Sequence, residues 1–172
     1  MHTTRMRIIG TSIEDRDGLE IMTSHNDTII SFAPTTAGDI DELVAIRVAA
    51  MRESLERIGR FDPVRARERF QSGFSPQQTR YILLNDQRVG FVVVKQNDGH
   101  LLLDHLYLHP DHQGKGIGSA VLAQLFADAA AARLPIRVGA LKQSEANRFY
   151  QQHGFVQIDE GEWDIYYERQ AQ

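Results

Sequence analysis

The 172-residue chain contains no cysteine. That excludes disulfides, thiolate metal sites and a cysteine nucleophile, so no acyl group can rest on an enzyme thiol here. Charge of one sign is not in excess either: 19 Lys and Arg face 23 Asp and Glu, a formal net charge of −4. Such a balance gives no global reason to expect nucleic acid or a membrane surface as partner. No apolar run reaches the roughly 20 residues of a membrane span. The opening "MHTTRMRIIGTSIEDRDGLEIM" has arginines, but acids interrupt it and it lacks a long apolar block, so it does not read as a secretory signal. The expected address is the cytoplasm. What is present is ordinary for a domain with one core of its own: 42% hydrophobic and 24% charged residues.

No internal repeat or low-complexity linker divides the chain. Residues 1–27 are polar and weakly patterned, and are expected to be a peripheral or disordered segment; residues 28–172 form a single domain. "TIISFA" (28–33) is a short β-rich run. Residues Thr36 to Asp39 offer helix caps before "IDELVAIRVAAMRESLERIG", whose Ile40, Leu43, Val44, Ile46, Val48 and Met51 recur with helical period. Asp62-Pro63 opens a second helix, with proline in the first turn. The strands "TRYILLN" and "RVGFVVVKQ" follow, with Asp86-Gln87 expected as the tight turn between them. "HLLLDHLYLH" (100–109) is the most apolar strand, yet Asp104 and His105 interrupt it. After a glycine-rich stretch, Ile117, Val121, Leu125 and Ala129 recur every fourth residue, the pattern of a helix packed on a sheet. "PIRVGAL" is a strand and "SEANRFYQQH" a short helix capped by Ser144 and stopped near Gly154; "FVQIDE" and "WDIYYER" form a closing antiparallel pair.

The chemistry is announced by Gly114, Gly116 and Gly118, between a strand and a helix. Consecutive backbone N–H groups at such a turn make a concave anion site, and the helix N-terminus adds roughly half a positive charge. Phosphate or pyrophosphate is the implied ligand. A P-loop needs its lysine after the last glycine, whereas Lys115 precedes Gly116. A dinucleotide fingerprint would need glycine at Ser119 and an acid about 20 residues on, where "RVGAL" stands instead. A glycine turn with no ligand must account for three residues that each weaken a helix start by up to about 1 kcal/mol. His100, His105, His109 and His112 are close in sequence, but their spacing fits no standard zinc pattern, so no metal is expected.

The stretch Gln113-Gly114-Lys115-Gly116-Ile117-Gly118 resembles [Q/R]-x-x-G-x-[G/A], the coenzyme-A pyrophosphate loop of the GNAT superfamily of N-acetyltransferases. "HLYLHPDHQGKGIGSAVL" is similar to that superfamily's strand, proline turn, loop and helix in order. "SEANRFYQQHGF" (144–155) resembles its second signature, a helix bearing Phe-Tyr and ending in Gly-Phe. The likeness runs from about residue 28 to 169. It implies an α/β acyl-CoA N-acyltransferase fold: a mixed, mostly antiparallel twisted sheet of about six to seven strands flanked by helices. The sheet would splay after the strand that precedes the loop.

By the same resemblance, acetyl-CoA is the cosubstrate. The main chain of Leu106, Tyr107 and Leu108 would bond the pantetheine arm, and the N–H groups of Gln113, Gly114, Lys115, Gly116, Ile117, Gly118 and Ser119 the pyrophosphate. Gln143 stands where the second signature often has asparagine; Asn147 is the substitute candidate for a cofactor amide contact. Tyr150 falls at the family's usual general acid, a phenol near pKa 10 that can return a proton to the leaving thiolate. Asp104 and His105 are both candidates for the base. Alternation would put Asp104 on the face of Leu106 and His105 on that of Tyr107, but a bulge would change this, so neither is preferred. The acceptor pocket would lie between the first two helices and the closing strands. Arg47, Arg52, Arg57, Arg60, Arg65, Arg67 and Arg69 there either attract a carboxylate-bearing amine or form a solvated helix face. Trp163, Tyr166 and Tyr167 offer an aromatic wall, with the two tyrosines on opposite faces. The leading expectation is direct acetyl transfer to an amine of a small molecule, amino acid or peptide. The alternatives are a non-catalytic acyl-CoA sensor and a protein N-terminal or lysine acetyltransferase. No nucleic acid or membrane partner is expected, and a homodimer is allowed.

Overall fold

Backbone pairing turns the alternating runs into one sheet. In a computed structural model, residues 6–8 and 28–172 are described. The strands are β1 (Met6–Ile8), β2 (Thr28–Pro34), β3 (Thr79–Leu84), β4 (Gln87–Asn97), β5 (His100–Leu108), β6 (Ile136–Leu141), β7 (Val156–Glu160) and β8 (Asp164–Arg169). Their spatial order is β1-β2-β3-β4-β5-β6-β8-β7. Every neighbouring pair is antiparallel except β5 and β6. The sheet thus has seven strands from residue 28 onward, with the three-residue β1 added at the edge. The rest of the segment expected to be peripheral, residues 1–5 and 9–27, lies outside the described residues.

Four helices flank the sheet: α1 (Ile40–Arg57), α2 (Pro63–Gly73), α3 (Ile117–Ala132) and α4 (Glu145–Gln152). The Thr36 backbone N–H and hydroxyl both bond the Asp39 carboxylate just before α1, at 2.7 and 3.0 Å. Asp62 caps α2 by accepting from Arg65 N at 3.0 Å. The β3–β4 turn differs from expectation by one residue. Leu84 pairs with Gln87, so Asn85 and Asp86 form the turn. Both take positive φ, 48° and 67°, as a two-residue hairpin turn requires and as Asn and Asp tolerate. Ser144 precedes α4 as expected, but its hydroxyl donates to Leu141 O at 2.7 Å instead of capping the helix.

The two faces of the sheet bury different side chains. On one, Ile117, Val121, Leu122, Leu125 and Ala129 of α3 pack with Ile82, Val92, Leu101, Leu103 and Val138. On the other, Leu43, Val44 and Ile46 of α1 and Phe70 of α2 pack with Tyr81, Phe91 and Val93. Strand β5 carries a bulge between its two halves. Val93 pairs with His105 and Val94 with Leu103, leaving Asp104 as the extra residue. Before the bulge Leu101 and Leu103 face α3; after it Leu106 and Leu108 do, while Tyr107 packs with the α1 and α2 cluster.

Candidate active site

The parallel pairing of β5 with β6 covers only Leu101–Leu103 against Ile136–Val138. Beyond it the strands part, and a notch of about 240 Å³ opens. Its lining includes Asp104, His105, Tyr107, Gln113, Gly139 and Tyr150. The splay therefore begins at the bulge. A strand edge left unpaired in this way offers main-chain groups to a ligand lying alongside. The notch runs into a larger cleft of about 1170 Å³ between α1, α2 and the β7–β8 hairpin. Both cavities are bordered by Met51, Leu103, Asp104, His105, Tyr107 and Val138.

The glycine loop begins directly after Gln113, which lines the notch. Gly114 and Gly116 have φ of 72° and 77°, and a Cβ at either would meet nothing within 4 Å. Gly116 is the residue before the first turn of α3, whose first internal bond runs from Ala120 N to Gly116 O at 3.1 Å. The N–H groups of the six residues from Gly114 to Ser119 donate to no backbone carbonyl. This row of free donors is the chemistry an anion needs. Two expectations about the loop shift. The Gln113 N–H is used within the chain, donating to Pro110 O at 3.2 Å, and its side-chain amide donates to Leu108 O at 3.0 Å. Gly118 is small for another reason: a Cβ there would lie 3.1 Å from Phe149 Cζ, so it lets α4 approach α3. His153 reinforces that contact, with its ring nitrogens 2.9 Å from Ser119 Oγ and 2.7 Å from Phe149 O.

Tyr150 lies at the notch, packed edge-on against Phe149 and Phe155 with ring centroids 5.3 and 5.4 Å away. Burial, with a lesser effect of Tyr107, pushes its phenol above the usual tyrosine range. The hydroxyl is therefore protonated at neutral pH.

Asp104 and His105 both border the notch. Asp104 forms an ion pair with Lys95 at 2.6 Å and lies 3.7 Å from His105 Nε2. Lys95 was not visible as a site residue in the sequence, since a lysine near a strand end is commonplace. His105 sits among Phe70, Phe91 and Tyr107, with ring centroids 5.5, 6.3 and 5.6 Å away. Burial in this aromatic cage, helped by the Arg47 and Lys95 charges and opposed by Asp104, lowers its pKa to about 4. It is neutral near pH 7, and its buried Nδ1 has no hydrogen-bond partner.

Two sequence candidates are otherwise engaged. The Asn147 amide donates to Leu141 O and Ser144 O at 2.9 and 3.0 Å, and its carbonyl accepts from the Tyr167 hydroxyl at 2.9 Å. It braces the turn that follows β6. Gln143 adopts a φ of 64°, and its carbonyl accepts from Arg57 at 3.2 Å. It borders neither cavity. Tyr166 and Tyr167 do divide between faces, 41% and 1% exposed, and Trp163 lines the cleft with Arg60 stacked 3.8 Å from its ring. Among the described residues no three potential metal ligands cluster, and no helix is long and apolar enough to cross a membrane.

The family model for the acetyltransferase (GNAT) domain matches residues 77–157, from the start of β3 into β7. Among solved structures, the chain is similar to the PaiA N-acetyltransferase from Thermoplasma acidophilum, which is in complex with coenzyme A. Their identity is 18%, over 82% of this chain and 98% of that one, with a TM-score of 0.66. It is likewise similar to an acetyltransferase from Thermus thermophilus, at 21% identity over 82% and 96% of the chains and a TM-score of 0.62. No curated protein matches the chain in sequence. The matched segment contains the bulged strand, the glycine loop and Tyr150, so residues 77–157 match the acetyltransferase (GNAT) domain, and the likeness in fold extends over most of the chain.

Proposed function

We propose that the protein is an acetyl-CoA-dependent N-acetyltransferase that moves the acetyl group directly to an amine of a small molecule, amino acid or peptide. The observation that carries this reading is the notch: it opens where β5 and β6 part, has Tyr150 at its wall, and is lined by Gln113, the residue directly before the row of free N–H groups. The residues present suit coenzyme A. Gly114 and Gly116 leave open space at the loop, and free donors from Gly114 to Ser119 match a pyrophosphate. Acetyl-CoA supplies an activated acyl group whose departure leaves a thiolate in need of one proton. Tyr150 holds that proton, because its environment keeps the phenol neutral. At the other side of the reacting centre, the incoming amine must be unprotonated and then lose a second proton. His105, neutral and with a free Nδ1, and Asp104, paired with Lys95, are the groups in place to receive it. With no cysteine, a ternary complex is favoured over an acyl-enzyme.

Tyr150→Phe tests the reading, since it keeps the ring and removes only the proton. The expected kcat falls by about 10²- to 10⁴-fold on a working amine, with acetyl-CoA affinity little changed. A kcat within about threefold of wild type, with chemistry limiting, would remove Tyr150 from the mechanism. Acetyl-CoA binding without transfer to any amine would instead favour a sensor.

A further inference from the structure

The arginines of the first two helices and their loop divide by position. Arg52, Arg57 and Arg67 stand outside the cleft, and each is tied to a carboxylate, Glu56, Glu53 and Asp41 respectively. Arg47, Arg60, Arg65 and Arg69 line the cleft, and none of them has a carboxylate partner among the described residues. A merely solvated helix face gives no reason for the paired and unpaired cations to segregate this way. Arg47 adds an independent sign of a missing partner. One guanidinium nitrogen donates to Ala66 O, while its Nε is buried with no acceptor. A buried donor is costly to leave unmatched. Arg65 and Arg69 are one turn apart on α2 and so share a face.

The cleft is not uniformly cationic. Asp159 and Asp164, from the closing hairpin, line it as well. Arginines alone would suit any polyanion, and aspartates alone any polyamine. The two together suit a zwitterion.

We propose that the acceptor is an amino-acid-like amine, whose carboxylate is bound by Arg65 and Arg69 with Arg47, and whose amine reaches the notch at Asp104 and His105. This rests on the acetyl-transfer reading and names its substrate class. Arginine suits the task because its planar fork pairs with both carboxylate oxygens.

The test compares kcat/KM for the L-amino acids with that for the matching L-amino acid amides. The amides carry the less basic amine, so amine availability works against the expected result. For the best pair, the free acid is expected to win by at least about tenfold. The preference should vanish in Arg65→Ser/Arg69→Ser and persist in Arg67→Ser, whose site lies outside the cleft. Amides used as well as acids, or a preference that survives the double substitution, would overturn the inference while leaving acetyl transfer intact. If no panel member is acetylated, calorimetry of the same amino acids on the protein–coenzyme A complex decides. Binding lost in the double variant would uphold the carboxylate site but overturn the acceptor role; absence of binding, or binding that survives the double substitution, overturns both.

Discussion

The two faces of the sheet are built from the same strands and reach opposite outcomes. Against α3 the side chains are mostly aliphatic, with Tyr150, Phe155 and Tyr167 among them; Leu122 is fully buried and Ile117 and Ala129 are each 1% exposed. Against α1 and α2 the packing is aromatic, and it surrounds His105 while leaving Arg47 Nε and His105 Nδ1 without partners. That face also opens into the cleft. The contrast teaches that the two faces carry different parts of the proposed chemistry: the α3 face holds Tyr150 within its core and the glycine loop at its helix start, and the other face holds the unpartnered polar groups. The α3 face is satisfied within itself; the other tolerates unsatisfied polar groups at Arg47 and His105, where a ligand can meet them.

The contrast can be attacked from either side. Leu122→Ala should lower unfolding free energy by about 2–5 kcal/mol, because a fully buried side chain is lost from a packed core. Urea unfolding reads the loss, and kcat of the folded protein should hardly move; a large kcat loss would show that core packing at Leu122 also positions Tyr150. His105→Phe probes the other face through pH. The folded His105 titrates near 4, below the ordinary 6.5, so between these values the unfolded chain takes a proton that the folded one refuses. The stability this group provides is complete above 6.5 and is lost as pH falls toward 4, by on the order of 3 kcal/mol. His105→Phe should flatten the pH dependence of unfolding in that window, and an unchanged profile would refute the buried neutral histidine. The smallest effect is expected at the loop. Gly116→Glu places a Cβ and a carboxylate beside the free N–H groups at a residue with φ of 77°. Acetyl-CoA affinity should fall by at least about tenfold, or about 1.4 kcal/mol, with the fold retained. Unchanged binding by calorimetry would remove the loop from the cofactor site.

Much of this was legible in the sequence, for identifiable reasons. The four-residue spacing of Ile117, Val121, Leu125 and Ala129 announced a helix on a sheet, and all four are buried. Three glycines announced the loop, but not that Gly118 faces Phe149, since a packing neighbour so far along the chain leaves no local mark. Asn147 matched a signature position by type, yet its amide is satisfied by Leu141, Ser144 and Tyr167, contacts that exist only once β6, α4 and β8 meet. Lys95 beside Asp104 and the division of the arginines were equally invisible, because charge patterning along a chain says nothing about which cations share a cavity. The hairpin turn was misplaced by one residue because Asn, Asp and Gln are all polar; the positive φ at Asn85 and Asp86 decides it.

The single surplus residue in β5 has a wider consequence. A strand is a two-beat rhythm, and Asp104 is a syncopation, an extra count held without taking a beat. Upstream, odd-numbered leucines fall on the beat of the aliphatic face; downstream, even-numbered ones do, and His105 and Tyr107 land on the off-beat beside α1 and α2. Along the sequence the phase slips, whereas in space it is kept. Deleting Asp104 would therefore leave every other side chain of the strand on its own face, with Leu103 and His105 as successive beats. What would go is the pause itself: one carboxylate, and the bend that marks where β6 falls away.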